Sequence, residues 1–227
     1  MAALFDISWI DADWPMQRQP GYGEQALPLS SLFDLAPEEK GKPALVYISR
    51  ALDEEERLEL EQRLFGREDL VMGTRFFRCY RIDESWIKDE KVREEYAKKL
   101  PALILLDSKG EEFARLTGPV AARSLYARME RLYRDVYGDR LGAQIRRIAD
   151  VLDEIQKSED TLADLAYEID TLKQRIEDND SKSAERNLAK KTKELEEEQK
   201  RFEELMVRFD EMVAAPAVES SETAAGD

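Results

Sequence analysis

The sequence predicts an α/β domain, a mixed sheet with helices on both faces, followed by an all-α arm. Two observations carry this. Over the first 138 residues, strand-like apolar runs alternate with helix-like segments and close in a hairpin and a helix. Beyond Gly138, apolar residues recur every seven positions, the signature of helices packed along a narrow seam.

Residues 1–42 read as irregular and are rich in aromatics and prolines, among them Phe5, Trp9, Trp14, Pro15, Pro20, Tyr22 and Pro28. Residues 1–24 are expected to form an aromatic strap on the core, since apolar side chains usually serve packing. "PLSSLFDLAPEEKGKP" predicts one or two helical turns around Ser31–Leu35, halted near Pro37. "ALVYIS" (44–49) is a continuous apolar run between a Gly-Lys-Pro turn and a charged segment, and so a buried strand. A helix follows over Glu54–Phe65, with Leu60, Leu64 and Phe65 at helical spacing and Gly66 at its end. "TRFFRCYRID" (74–83) predicts a second strand, and "DEKVREEYAKKL" (89–100) a helix that begins in acid and ends in base, as its dipole prefers.

"PALILLDSKGEEFARLTG" (101–118) predicts a β-hairpin turning through Asp107-Ser108-Lys109-Gly110. "PVAARSLYARMERLYRDVYG" (119–138) closes the domain as an amphipathic helix, with Pro119 in its first turn and Leu125, Met129, Leu132, Tyr133 and Val136 on one face. Parallel strands joined by helices, then an antiparallel pair, give a mixed sheet over residues 25–138.

Residues 139–213 form the arm. Ile148, Ile155, Leu162, Ile169 and Ile176 lie seven apart, and Val151, Leu165 and Leu172 fill the position three later, interrupted by Ser158. "EDNDSKSAERN" (177–187) breaks the pattern with turn-forming residues. Leu188, Leu195, Phe202 and Phe209 then repeat the spacing, with Leu205 and Met212 beside the last two and charged Lys191 and Glu198 in between. Two arrangements fit: an antiparallel helical hairpin, or one long helix that dimerises in parallel. Matched lengths and the polar break favour the hairpin. From residue 214 the chain is expected to be a disordered acidic tail.

A net charge of −15 argues against nucleic acid and anionic membranes, both of which need a basic surface. There is no histidine, which excludes imidazole catalysis and His-ligated metal sites. Cys79 is the single cysteine, so neither an intramolecular disulfide nor a Cys-cluster metal site can form. The start carries Asp6, Asp11 and Asp13 where a secretion signal needs base and an apolar run, so the expected compartment is the cytoplasm.

"KGKPALVYIS" and "KKLPALILLDSKGEEFARLTG" resemble segments of the thioredoxin-like superfamily, and the resemblance covers roughly residues 25–137. It implies a cis-proline at Pro101, preceded by Leu100. It also implies a redox Cys-x-x-Cys where the first strand meets its helix, and those positions here are Asp53, Glu54, Glu55 and Glu56. Both thiols are replaced by carboxylates, which at a helix N-terminus complement the unpaired N–H groups, with Asp53 as N-cap and Glu56 as capping-box partner. The corner is therefore expected to be redox-dead.

Other motifs fail on context. Ser85-Trp86-Ile87-Lys88 matches Ser-x-x-Lys but none of its companion motifs is present. Asp178-x-Asp180 lacks the EF-hand glycine, Asp11-x-Asp13 stands alone, and Gly41-Lys42 lacks the upstream glycine of a phosphate loop. The expectation is a non-catalytic scaffold or adaptor without cofactor or metal, binding proteins or further copies of itself through an interface of Ile148, Ile155, Leu162, Leu165, Ile169, Leu172, Ile176, Leu195, Phe202, Leu205 and Phe209. Two alternatives stand beside it: a thiol-dependent redox protein using Cys79 alone, and a chaperone-like clamp that grips clients with its arm.

Overall fold

The most apolar runs in the chain make the centre of the sheet. The computed structural model describes residues 7–19, 23–39, 41–50, 54–179 and 182–213. In chain order the strands are β1 (Trp9–Asp11), β2 (Met16–Gln19), β3 (Gly23–Ala26), β4 (Ala44–Ser49), β5 (Arg78–Asp83), β6 (Ala102–Leu106) and β7 (Glu112–Thr117). The helices are α1 (Glu54–Phe65), α2 (Glu68–Thr74), α3 (Glu90–Tyr96), α4 (Ala122–Tyr137), α5 (Leu141–Asn179) and α6 (Lys182–Val213). The chain divides into two compact units, one reaching Ile145 and the other beginning at Arg146.

The first unit is built on a five-stranded sheet in the order β1-β5-β4-β6-β7. β5 runs parallel to both β1 and β4, while β6 is antiparallel to β4 and to β7. The mixed sheet expected from the sequence is present. β4 and β6 are buried at every position because both of their faces are covered.

Alternation sorts the side chains. Ala44, Val46, Ile48, Tyr80, Ile82, Ala102, Ile104 and Leu106 share one core cluster with Trp14, Leu29, Leu32 and Ile87. Val92 and Tyr96 of α3 and Phe33 of the 3-10 turn Leu29–Leu35 pack against this cluster. On the opposite face Tyr47 meets Trp9 and Phe65, with ring centroids 5.6 and 5.7 Å away. There α1, α2 and α4 adjoin one another, with Leu64, Leu70, Leu125 and Met129 buried among them.

The N-terminal segment departs from its expectation. Trp9–Asp11 is not irregular: it adds an edge strand, held by Arg81, whose Nε donates to Asp11 at 2.7 Å and whose Nη1 reaches Glu61 at 3.2 Å. Met16–Gln19 and Gly23–Ala26 form a separate antiparallel ribbon, and the Trp14 indole donates to the Leu27 carbonyl at 3.2 Å. Phe5, Pro20 and Tyr22 lie outside the described residues.

Three boundaries also move. β5 begins at Arg78 rather than Thr74, because Leu70–Thr74 form the buried end of α2, and Phe76 and Phe77 turn out of it with N–H bonds to Gly73 and Thr74. α3 stops at Tyr96, and α4 starts at Ala122, so Pro119 precedes the helix instead of opening it. In the hairpin loop the Asp107 carboxylate accepts from the N–H groups of Lys109 and Glu111, both at 2.9 Å, and Gly110 takes φ 86°.

The second unit is all helical. The turn predicted over residues 177–187 is largely helix: α5 runs to Asn179 and α6 begins at Lys182. The tail from residue 214 lies outside the described residues. Among the described residues no helix is long and apolar enough to cross a membrane.

Candidate functional site

β4 delivers the chain to the corner where the sequence placed degenerate redox positions. Ser49, its last residue, is buried. Asp53 lies outside the described residues, and with it the Asp53–Glu56 capping box; the backbone of Glu54, Glu55 and Glu56 makes the first turn of α1. The Leu100–Pro101 peptide bond is cis and leads into β6. The Gly118 N–H donates to the Pro101 carbonyl at 2.9 Å, which ties the exit of the hairpin to this turn.

Cys79 sits mid-strand on β5, opposite Leu45 of β4 and Trp9 of β1, and is 4% exposed. Its Sγ lies 3.6 Å from the Thr74 carbonyl and 3.8 Å from that of Phe77. Burial pushes the thiol far above its ordinary range, and the negative charge of Glu39 pushes it the same way. Arg78 does not counter this. It points to the other face, where Nε donates to the Glu39 carbonyl at 2.8 Å, Nη1 to the Phe33 carbonyl at 3.2 Å, and the guanidinium lies 4.3 Å from the Phe33 ring centre. A thiol needs its thiolate to attack, and this one is held protonated.

The remaining polar candidates are occupied in structural work. The Ser85 hydroxyl donates to Asp83 at 2.6 Å, and the same carboxylate accepts the Ser85 N–H to cap the turn Glu84–Trp86. Among the described residues no group of three or more Cys, Asp or Glu could hold a metal ion. A cleft of about 430 Å³ opens beside this turn, with exposed Leu35 and Trp86 at its rim and Asp13 and Lys88 on its walls.

On the second unit, Ile148, Ile155, Leu165 and Ile169 of α5 are buried, as are Leu205 and Phe209 of α6. Leu162, Leu172, Ile176, Leu195 and Phe202 are half-buried. Ser158, which interrupts the heptads, is 1% exposed, and its hydroxyl donates to Glu198 at 2.6 Å. Two ion pairs also join the helices: Lys191 to Glu168 at 2.8 Å and Arg208 to Glu154 at 3.9 Å. Glu198, a charged position in the predicted seam, is thus the acceptor for the buried serine.

No family model and no curated protein matches the chain. Among solved structures it is similar to the C-terminal domain of DsbD from Neisseria meningitidis in the oxidised form, at 14% identity and a TM-score of 0.33, over 46% of this chain and 89% of that one. It is also similar to StoA from Bacillus subtilis, at 20% identity and a TM-score of 0.28, over 40% of this chain and 84% of that one. Both likenesses are distant.

Periodicity missed a second cleft, of about 420 Å³, lined by Tyr167, Glu168, Leu172 and Arg175 of α5 and by Lys190 and Lys191 of α6. Tyr167 is 76% exposed there. The signal that marks it is charge rather than heptad position. Residues 171–193 carry seven Lys and Arg against four Asp and Glu, whereas residues 146–170 and 194–213 together carry six against sixteen.

Proposed function

We propose that this chain is a non-catalytic thioredoxin-like protein that works as a scaffold or adaptor, assembling proteins through an antiparallel coiled-coil arm. The observation that carries the reading is the sequence of cross-helix contacts: Glu154 with Arg208, Ser158 with Glu198, Glu168 with Lys191. As the residue number rises on α5 it falls on α6, which supports a hairpin over a parallel pair of long helices. A hairpin of two helices covers only one stripe of each, and the uncovered faces are the surface it offers to partners.

The thioredoxin-like assignment draws on the strand order, with a parallel set β1-β5-β4 continued by the antiparallel pair β6-β7. The scaffold reading draws on the burial of Cys79, which denies the single thiol the exposure that reactivity requires and outweighs the opposing positive charge of Lys42. The cytoplasm remains the compartment this reading expects.

The test is affinity capture from native cells with the full chain and with its Leu165→Asp/Leu172→Asp variant. The intact chain retains a defined set of proteins or copies of itself, and the variant loses them while its sheet unit keeps its near-ultraviolet circular dichroism. An unchanged set in the variant moves the partner surface to the sheet unit and overturns the reading.

A further inference from the structure

The cleft formed by Tyr167, Arg175, Lys190 and Lys191 lies where α5 ends and α6 begins. Its cations are unevenly engaged. Lys191 is tied to Glu168 at 2.8 Å and Glu194 at 3.0 Å, and Lys190, 74% exposed, reaches Glu194 only at 3.5 Å. Arg175 makes no ion pair among the described residues and is exposed. A basic cleft with an exposed tyrosine at its rim and Leu172 in its wall suits an acidic, partly apolar helical surface.

The same face of the unit continues into acid. On α5, Asp164 and Asp160 lie one and two turns before Glu168; on α6, Glu194, Glu197 and Glu204 follow Lys190 at helical spacing. Asp164 and Glu204 are exposed and make no ion pair among the described residues. The two arginines on this row of α6 are partnered within the unit, Arg201 by Glu198 at 3.8 Å and Arg208 by Glu154 at 3.9 Å. One face thus carries a basic end and an acidic flank.

We infer that this face pairs with the same face of a second copy, in an antiparallel two-fold dimer that sets the basic cleft of each arm against the acidic flank of the other. The inference rests on the arm being the interaction element. A two-fold axis makes both contacts identical, so one complementary patch is used twice, and parallel stacking would set acid on acid. Tyr167 and Leu172 supply the apolar centre, and the charges set register and orientation.

The test is sedimentation velocity on the full chain, from about 0.01 M salt, where the Debye length is about 30 Å, to about 1 M, where it is about 3 Å. The wild type sediments as a dimer at low salt and dissociates as salt rises. Arg175→Glu/Lys190→Glu reverses the cleft, and Asp164→Lys/Glu204→Lys reverses the flank. Each variant alone loses dimer affinity about 100-fold. Mixed in equal amounts they regain a dimer, because each now carries the complement of the other. All four positions are exposed, so both variants keep the helical circular dichroism of the wild type. A wild type that is monomeric at low salt, a dimer indifferent to the reversals, or a mixture that stays monomeric overturns the inference. If that happens while Leu165→Asp/Leu172→Asp still loses captured proteins, self-pairing falls and the arm reading stands.

Discussion

Cys79 is surrounded by β1 and β4 on either side and by the carbonyls of Thr74 and Phe77 near its sulfur. Native protein at neutral pH should therefore resist alkylation, and labelling should become fast only in denaturant; rapid native labelling would restore the single-thiol reading. The same burial gives stability a pH slope. A thiol whose folded pKa is raised favours folding fully below its ordinary value of 9.0, and that stability is lost as pH rises above it, because the unfolded chain ionises first. Tyr80 and Tyr137, also raised chiefly by burial, add to the loss above 10.0. Melting temperature should be flat near neutrality and fall above about pH 9, less steeply in Cys79→Ala. A second residue-scale test concerns Gly110, where a Cβ would lie 2.4 Å from Ser30 Cβ at φ +86°, and Gly118, where φ is +74° but nothing lies within 4 Å. Gly118→Ala should cost about 1 kcal/mol from backbone strain and Gly110→Ala about 3 kcal/mol from strain plus the clash, read by urea denaturation. The position of Cys79 was legible, since alternation sets it opposite in sense to Arg78. Arg78 was not: a buried cation that donates to the Phe33 carbonyl of the 3-10 turn Leu29–Leu35 and to the Glu39 carbonyl of the 3-10 turn Pro37–Glu39 can be found only once those turns are folded against β5.

At the scale of elements, the sequence spoke wherever burial was two-sided or periodic. β4, β6, the hairpin and both arm helices were legible for that reason. β1 was not, because three residues with a single neighbour strand leave no periodic trace. α2 escaped because seven residues with Gly73 among them are too few for a helical repeat, and packing of Leu70, Val71 and Met72 holds it instead. Ser158 is the instructive case in the arm: it read as a flaw in the heptads, yet it meets Glu198 inside the helix pair. Ser158→Ala should cost about 1–2 kcal/mol of arm stability, since Glu198 loses its donor. Ser158→Leu combined with Glu198→Leu should raise the melting temperature of the arm and broaden its register, which spin-label distances between the two helices would reveal.

For the whole molecule, the division at Ile145 has a thermal consequence. Leu141 and Ile145, from the first turns of α5, pack beside Gly73 of α2, where a Cβ would meet Leu141 at 3.3 Å. The sheet unit therefore continues past Gly138, the boundary expected from the sequence, because the first turns of α5 belong to it. Scanning calorimetry of the full chain should resolve two transitions, and Leu165→Asp/Leu172→Asp should remove one and leave the other within about 2 °C. A single cooperative transition that shifts as a whole would mean that the units melt together. At the corner Asp53–Glu56 the sequence offered an absence of thiols and a helix cap, and Asp53 lies outside the described residues.

The edge strand β1 sets an order of events during synthesis. Asp11 and its partner Arg81 are 70 residues apart, so at about 5–20 residues per second Trp9 leaves the ribosome roughly 4–14 s before β5 can receive it. Until then the sheet has neither its first edge nor the ring contacts of Trp9, and closing so long a loop comes late in folding. The nascent chain therefore spends those seconds with Trp9 and Trp14 unburied, two large apolar side chains open to a ribosome-associated chaperone until β5 emerges.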